Sequence, residues 1–200
     1  MYHIKNDKRT AVTTNLIQYA LSALILEGQW GCFTLTKLAE RAQVGRATFY
    51  RSFDAIEDVL QLQVDQAMVD LFTFIMEKIK RLPSFYETDI YNLFFQYWYR
   101  HDRLLTLLLK SDQQAMFKNR LMRLYRENLT FVQSILQIQE SHWAYFVILR
   151  CSVLSDGLFE WIKNGKKESP EEISRILLLS FSELHAVELS LTKSVLAHPE

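Results

Sequence analysis

The stretch from Thr34 to Asp54 limits the possible folds of this chain more than any other. Leu35, Leu38, Ala39 and Ala42 recur at helical spacing behind Thr34, whose side-chain oxygen suits a helix N-cap. That spacing predicts one short helix. After the break at Gln43-Val44-Gly45, Phe49 and Phe53 fall one turn apart on one face of a second helix, with Ala47 and Arg51 directed almost oppositely. Thr48 and Tyr50 flank the outward face. Two short helices joined by a tight turn, the second displaying Arg, Thr and Tyr, make the pattern of a helix-turn-helix that offers a recognition helix to the DNA major groove.

The residue types fit that chemistry. Guanidinium groups pair in bidentate fashion with guanine edges or phosphates, and hydroxyls donate to phosphate oxygens. The candidate DNA contacts are Thr34, Thr36, Lys37, Gly45, Arg46, Ala47, Thr48, Tyr50, Arg51 and Ser52. A small residue such as Ala47 lets the helix backbone approach base edges. The spacing alone equally suits a solvated surface hairpin.

The run Thr34, Leu38-Ala39, Ala42, Val44, Thr48-Phe49-Tyr50 and Phe53 resembles the DNA-binding domain of TetR-family transcriptional regulators. The similarity reaches back through Arg9, Ile17, Ala20 and Gly28, so it covers about the first quarter of the chain. It implies a DNA-binding head. Three positions depart from the family pattern. Gln43 stands where Gly is usual, and a non-Gly residue in a left-handed turn costs about 1 kcal/mol. Gly45 replaces a Ser or Thr but is an acceptable N-cap, and Ile56 replaces a Lys that would contact phosphate. These changes bear on affinity more than on fold. They also motivate a competing expectation, a TetR-fold coactivator or interaction protein with a degenerate DNA-binding head.

Charge divides along the chain in the expected sense. Residues 1–54 carry seven basic and four acidic side chains, a net of +3, so the rest of this neutral chain carries −3. A basic front attached to an acidic body suits a DNA reader whose body stays off the phosphates. The expected division is a head at 1–54 and a regulatory and dimerisation region at 55–200. Only five Gly and three Pro in 200 residues favour long helices, and the fold class expected is all-α with about nine of them. The first should run from about Thr10 to Glu27, with Val12, Leu16, Ala20 and Leu24 as its inward stripe, Ile17 and Leu21 beside it, and Gly28 as its C-cap. The fourth should start at an Asp54 N-cap, run to about Arg81 and bridge head and body. Later helices are expected near 87–100, 102–110, 113–137, 141–164 and 170–192, the last opened by Ser169-Pro170-Glu171-Glu172.

A second resemblance lies in Leu158-Phe159-Glu160-Trp161-Ile162-Lys163-Asn164-Gly165 followed by Glu168 to Ile173, with Leu107 to Ser111 upstream. This string is similar to the C-terminal domain of the TetR subgroup that includes regulators of dihydroxyacetone kinase operons. The resemblance implies that the last two long helices pair with their copies in a second subunit. Interface candidates are Phe146, Leu149, Val153, Gly157 and Trp161 on one helix and Ile173, Leu177, Phe181 and Leu184 on the other. The same stripes also suit an intrachain core. The resemblance further implies an inducer among the aromatic-rich middle helices, and Trp98, His101, Arg103, Phe117, Tyr125, Trp143 and Arg150 are the candidate ligand contacts.

Other classes find little support. The five His are scattered, and no phosphate-cradling Gly-rich loop or nucleophile motif occurs, so an enzyme is not expected. No cofactor or metal is expected. Cys32 and Cys151 match no metal spacing or disulfide framework, and reduced thiols in a cytoplasm are the expectation. The most apolar stretch, 142–162, carries Arg150 and Asp156 and reads as a buried helix rather than a membrane span. The expected protein is therefore a homodimeric regulator, a repressor, that binds a palindromic DNA operator and is released by a small-molecule inducer.

Overall fold

The computed structural model describes residues 1–4, 8–82, 86–128 and 142–180. It is all-α. The helices are α1 (Lys8–Leu26), α2 (Leu35–Arg41), α3 (Arg46–Tyr50), α4 (Glu57–Ile79), α5 (Glu87–Arg100), α6 (Asp102–Lys110), α7 (Gln114–Glu127) and α8 (Trp143–Lys163), followed by α9 over 170–180. Among the described residues the one pairing of extended backbone is an isolated antiparallel bridge between Tyr2 and Phe53. No described helix is long and apolar enough to cross a membrane.

Two apolar clusters organise the chain. The first gathers Ile17, Leu21, Leu24 and Ile25 of α1 around Leu38, Phe49 and Phe53. The second joins α4, α5, α6, α7 and α8 around Phe95, Trp98, Phe117, Leu158 and Trp161. Helix α4 belongs to both: Val59, Leu60 and Leu62 enter the first cluster, while Val64, Met68 and Leu71 enter the second. Leu107 of α6 also lies in the first cluster, so the body reaches into the core beneath the helix-turn-helix.

Local structure obeys the sequence at several helix ends. Gly28 takes φ +73°, and the amides of Gly28 and Gln29 donate to Ile25 and Leu24 carbonyls, closing α1. At α9, the Ser169 hydroxyl accepts from the Glu172 amide at 3.2 Å while the Glu172 carboxylate accepts from the Ser169 amide at 2.8 Å. Those contacts hold the Glu172 carboxyl below its ordinary pKa.

Two expectations need correction. Val12 and Leu16 of α1 are exposed, while Ala20 and Leu24 are buried as expected together with Thr14, Ile17, Leu21, Ser22 and Ile25. An i, i+4 row drifts by about 40° per step around a 3.6-residue helix, so Val12 and Leu24 do not share a face. Asp54 is not the cap of α4, whose N-cap position is Ile56. The acid that serves this end is Asp58, which accepts from the amides of Asp54 at 3.1 Å and Ala55 at 2.9 Å. The expected helical stretches over 129–137 and 181–192, and the start expected at 141, lie outside the described residues.

Candidate nucleic-acid interface

Thr34 caps α2 by accepting from the Lys37 amide, and the chain then turns through Gln43 at φ 55° into α3, whose N-cap is Gly45. The left-handed turn expected at Gln43 is present without a glycine. Phe49 and Phe53 are fully buried, their rings 5.4 Å apart, and they clamp this hairpin onto α1. The opposite face of α3 is left to solvent: Gly45, Arg46, Ala47, Tyr50 and Arg51 are exposed and Thr48 is half-buried. Arg46 and Arg51 make no ion pair among the described residues, so both guanidinium forks keep their donors for an acceptor from outside.

The cations of α2 are placed differently. Lys37 Nζ donates to Gln29 Oε1 at 2.7 Å, and Arg41 forks onto the Glu27 carboxylate, with Nη1 to Oε2 at 2.9 Å. Both contacts tie α2 to the end of α1 on an exposed surface. Thr34, Thr36 and Lys37 nevertheless remain exposed beside α3. Ser52 does not belong with them. It is only 4% exposed, and its carbonyl accepts from the His3 amide at 2.8 Å. It comes after α3 and immediately before Phe53, where the chain turns back into the core.

The segment that covers this turn has no signature in the sequence. Residues 1–4 run antiparallel to 52–54, with the Asp54 amide donating to the Met1 carbonyl at 3.1 Å. Tyr2 then donates to Asp65 of α4 at 2.7 Å, and Asp65 also pairs with Arg120 of α7 at 2.6 Å. Burial and the Asp65 contact push the Tyr2 phenol up to about 12. The tail thereby connects the end of α3 to both α4 and α7. In a helical chain no partner strand is visible from sequence, so such a short extended segment leaves no pattern to find.

The proposed ligand residues separate into two places. Trp98, His101 and Arg103 line a cleft of about 450 Å³ bounded by α1, α4, α5 and α6. Phe117, Tyr125, Trp143 and Arg150 sit in the body core, where Arg150 is 4% exposed. Its guanidinium lies 5.0 Å from the Tyr91 ring centroid and 4.9 Å from that of Phe146, and burial draws its pKa down to about 10. Asp156 on the same helix pairs with Lys118 at 3.0 Å.

Several interface candidates are occupied within the chain. Trp161 is buried against Phe95, and its Nε1 donates to the Glu168 carbonyl at 3.1 Å. A Cβ on Gly157 would meet Leu177 of α9 at 3.0 Å, so the close helix approach at this glycine is intrachain. Phe146, Val153, Ile173 and Leu177 pack against the second cluster. Phe181 and Leu184 lie outside the described residues. The apolar side chains left exposed are Tyr145, Ile148 and Leu149 of α8 with Ile176 and Leu179 of α9. Of the expected stripe on α8, Leu149 alone is exposed, because a helix packed on both the body and α9 has already committed its 146-153-157 side.

Residues 87–182 match the TetR-type family described as "Transcriptional regulator C-terminal region". The solved structure of Lin0861 from Listeria innocua superposes with a TM-score of 0.72 at 15% identity, covering 91% of this chain and 96% of that one. A protein of Syntrophomonas wolfei assigned to the TetR family of transcriptional regulators superposes at 0.65 with 19% identity, covering 88% and 95%. The chain has the TetR-type fold. The fatty acid degradation regulator FadR of Bacillus halodurans shares it at a TM-score of 0.55 and 18% identity, covering 86% of this chain and 94% of its own. No curated protein matches the sequence. Within the TetR fold, the exposed face of α3 occupies the second helix of the helix-turn-helix, and α4 is the element shared by both apolar clusters.

Proposed function

We propose that this chain is a DNA-binding transcriptional regulator of the TetR type that reads a palindromic operator as a homodimer. The observation that carries the reading is the two-sided character of α3, with Phe49 and Phe53 fully buried behind it and Arg46, Ala47, Tyr50 and Arg51 exposed in front. Such a helix presents guanidinium and hydroxyl donors on a rigid base, as major-groove reading requires. Thr34, Thr36, Lys37, Gly45 and Thr48 supply phosphate contacts around it. A single recognition helix this short gives little affinity, whereas two heads reading half-sites about 34 Å apart give enough. The exposed Tyr145, Ile148, Leu149, Ile176 and Leu179 are the surface that pairs the two copies. The protein acts as a repressor, and a small molecule releases it by shifting α4. A coupling of about 1–3 kcal/mol would suffice for that release. The C-terminal string around Trp161 supports placing the chain beside the regulators of dihydroxyacetone kinase operons.

The test is a gel shift against the promoter DNA flanking its own gene, with Arg46→Ala and Tyr50→Ala as controls. Wild-type binding that both variants lose, and that weakens steeply with salt, supports the regulator. No shift at low salt, together with a specific protein partner recovered by the same chain, would favour the coactivator reading instead.

A further inference from the structure

The cleft bounded by α1, α4, α5 and α6 holds two buried donors without a partner. Gln63 Nε2 and Trp98 Nε1 both belong to residues that line it, and neither makes a hydrogen bond among the described residues. Trp98 itself is fully buried. Buried N–H groups are almost always paired in native proteins, so two such donors on residues beside one opening call for an acceptor from outside, which reaches them once the side chains shift to uncover them. The remaining charge points the same way. Arg100 and Arg103 line the cleft and form no ion pair among the described residues, while His101 stacks on Tyr97 with centroids 4.4 Å apart. Asp70 of α4 is the single acid among the lining residues.

An indole N–H and a guanidinium donate and cannot accept, so the complement of this set is an acceptor-rich anion. Leu104, Leu107 and Ala67 supply apolar wall, which a bare inorganic ion would leave unfilled. We propose that this cleft is an effector site for a small organic carboxylate with an apolar body, held by Gln63, Trp98 and Arg103. A volume of about 450 Å³ accommodates such a molecule. The site differs from the aromatic body core around Arg150, since it has α1 of the head as one wall and the α5–α6 corner of the body as another. An occupant would therefore brace the head against the body directly. This rests on the ligand-responsive part of the function proposed above, but its test reads ligand binding without DNA, so a head that fails to bind DNA leaves it standing.

The experiment is titration calorimetry of the full chain with benzoate and octanoate, with benzamide and octanamide as neutral counterparts and inorganic phosphate as a bare anion. Saturable binding of at least one carboxylate is expected, with a change in tryptophan fluorescence and no binding of its amide. Arg103→Ala, at an exposed position, should weaken that binding by about tenfold or more through loss of a charge-assisted contact. Gln63→Leu should weaken it too, while raising the melting temperature of the unliganded chain because it removes an unsatisfied donor. The proposal is overturned if neither carboxylate binds at millimolar concentration, if both variants bind as the wild type does, or if phosphate binds as tightly as the carboxylates.

Discussion

Replacing Gly157 tests how α9 is seated on α8. Alanine is favoured over glycine inside a helix by about 1 kcal/mol. Its Cβ, however, would lie 3.0 Å from Leu177 Cδ1 and 3.2 Å from Cδ2. Relieving that contact forces Leu177 away from its rotamer at a cost of about 0.5–1.5 kcal/mol. The two effects offset, so Gly157→Ala alone should change stability by no more than about 0.5 kcal/mol. Leu177→Ala, at a half-buried site, should cost about 2–4 kcal/mol. In that background the contact is gone and the alanine gains its full helix preference, giving a coupling of about 0.5–1.5 kcal/mol between the two positions. Urea unfolding of the wild type, both single variants and the double variant at one protein concentration measures it, with the buried Trp98, Trp143 and Trp161 as reporters. Equal effects of Gly157→Ala in both backgrounds, within about 0.3 kcal/mol, would refute the intrachain packing. An effect of Gly157→Ala that instead scales with protein concentration would return the glycine to a subunit interface.

The head and α9 offer three further tests. Phe53→Ala, which empties a fully buried site, should cost about 3–5 kcal/mol, read as a shift of the unfolding midpoint without a change of slope. Gln43→Gly should stabilise by up to about 0.5 kcal/mol, the relief of a left-handed φ of 55° less the added freedom of the unfolded chain, and a fall in melting temperature would contradict this. The Glu172 carboxyl is held below its ordinary value by the Ser169 amide and hydroxyl, so its contribution is complete above pH 4.5 and is lost as pH falls through the lowered folded value. Melting curves from about pH 6 to about pH 3 should therefore show a steeper acid loss for the wild type than for Glu172→Gln.

The elements legible in the sequence are those whose signals are local. Thr34, Gly28 and the Ser169-Glu172 pair each announce a helix end by chemistry that acts within four residues. The burial of Phe49 and Phe53 is legible because a helix as short as α3 and the turn that follows it have room for only one apolar side, although Phe53 falls after the helix rather than on it. The features that escape depend on partners distant in the chain. Val12 and Leu16 fit an apolar row but lie off the face that Thr14, Ile17 and Leu21 turn toward the core, and Trp161 fits an interface until Phe95 and the 168 carbonyl are brought to it. Ser52 departs from the expected contact set because the outward face of α3 ends at Arg51 and the tail at residues 1–4 closes over the turn beyond it. The candidate ligand residues come largely from one aromatic-rich stretch, and α5 sends its side chains both into the body core and toward α1.

Leu107 bears on how such a chain can be cut and recombined. It comes from α6 yet is buried in the cluster that holds Ile17, Leu21 and Leu60. A chimera that transplants the first 54 residues onto another regulator's trunk would inherit a hole of one leucine unless the recipient offers an apolar residue at the same place. Exchange of operator preference between relatives is therefore constrained at a site that touches no nucleic acid, and successful hybrids should carry the matching segment of the sixth helix along with the graft.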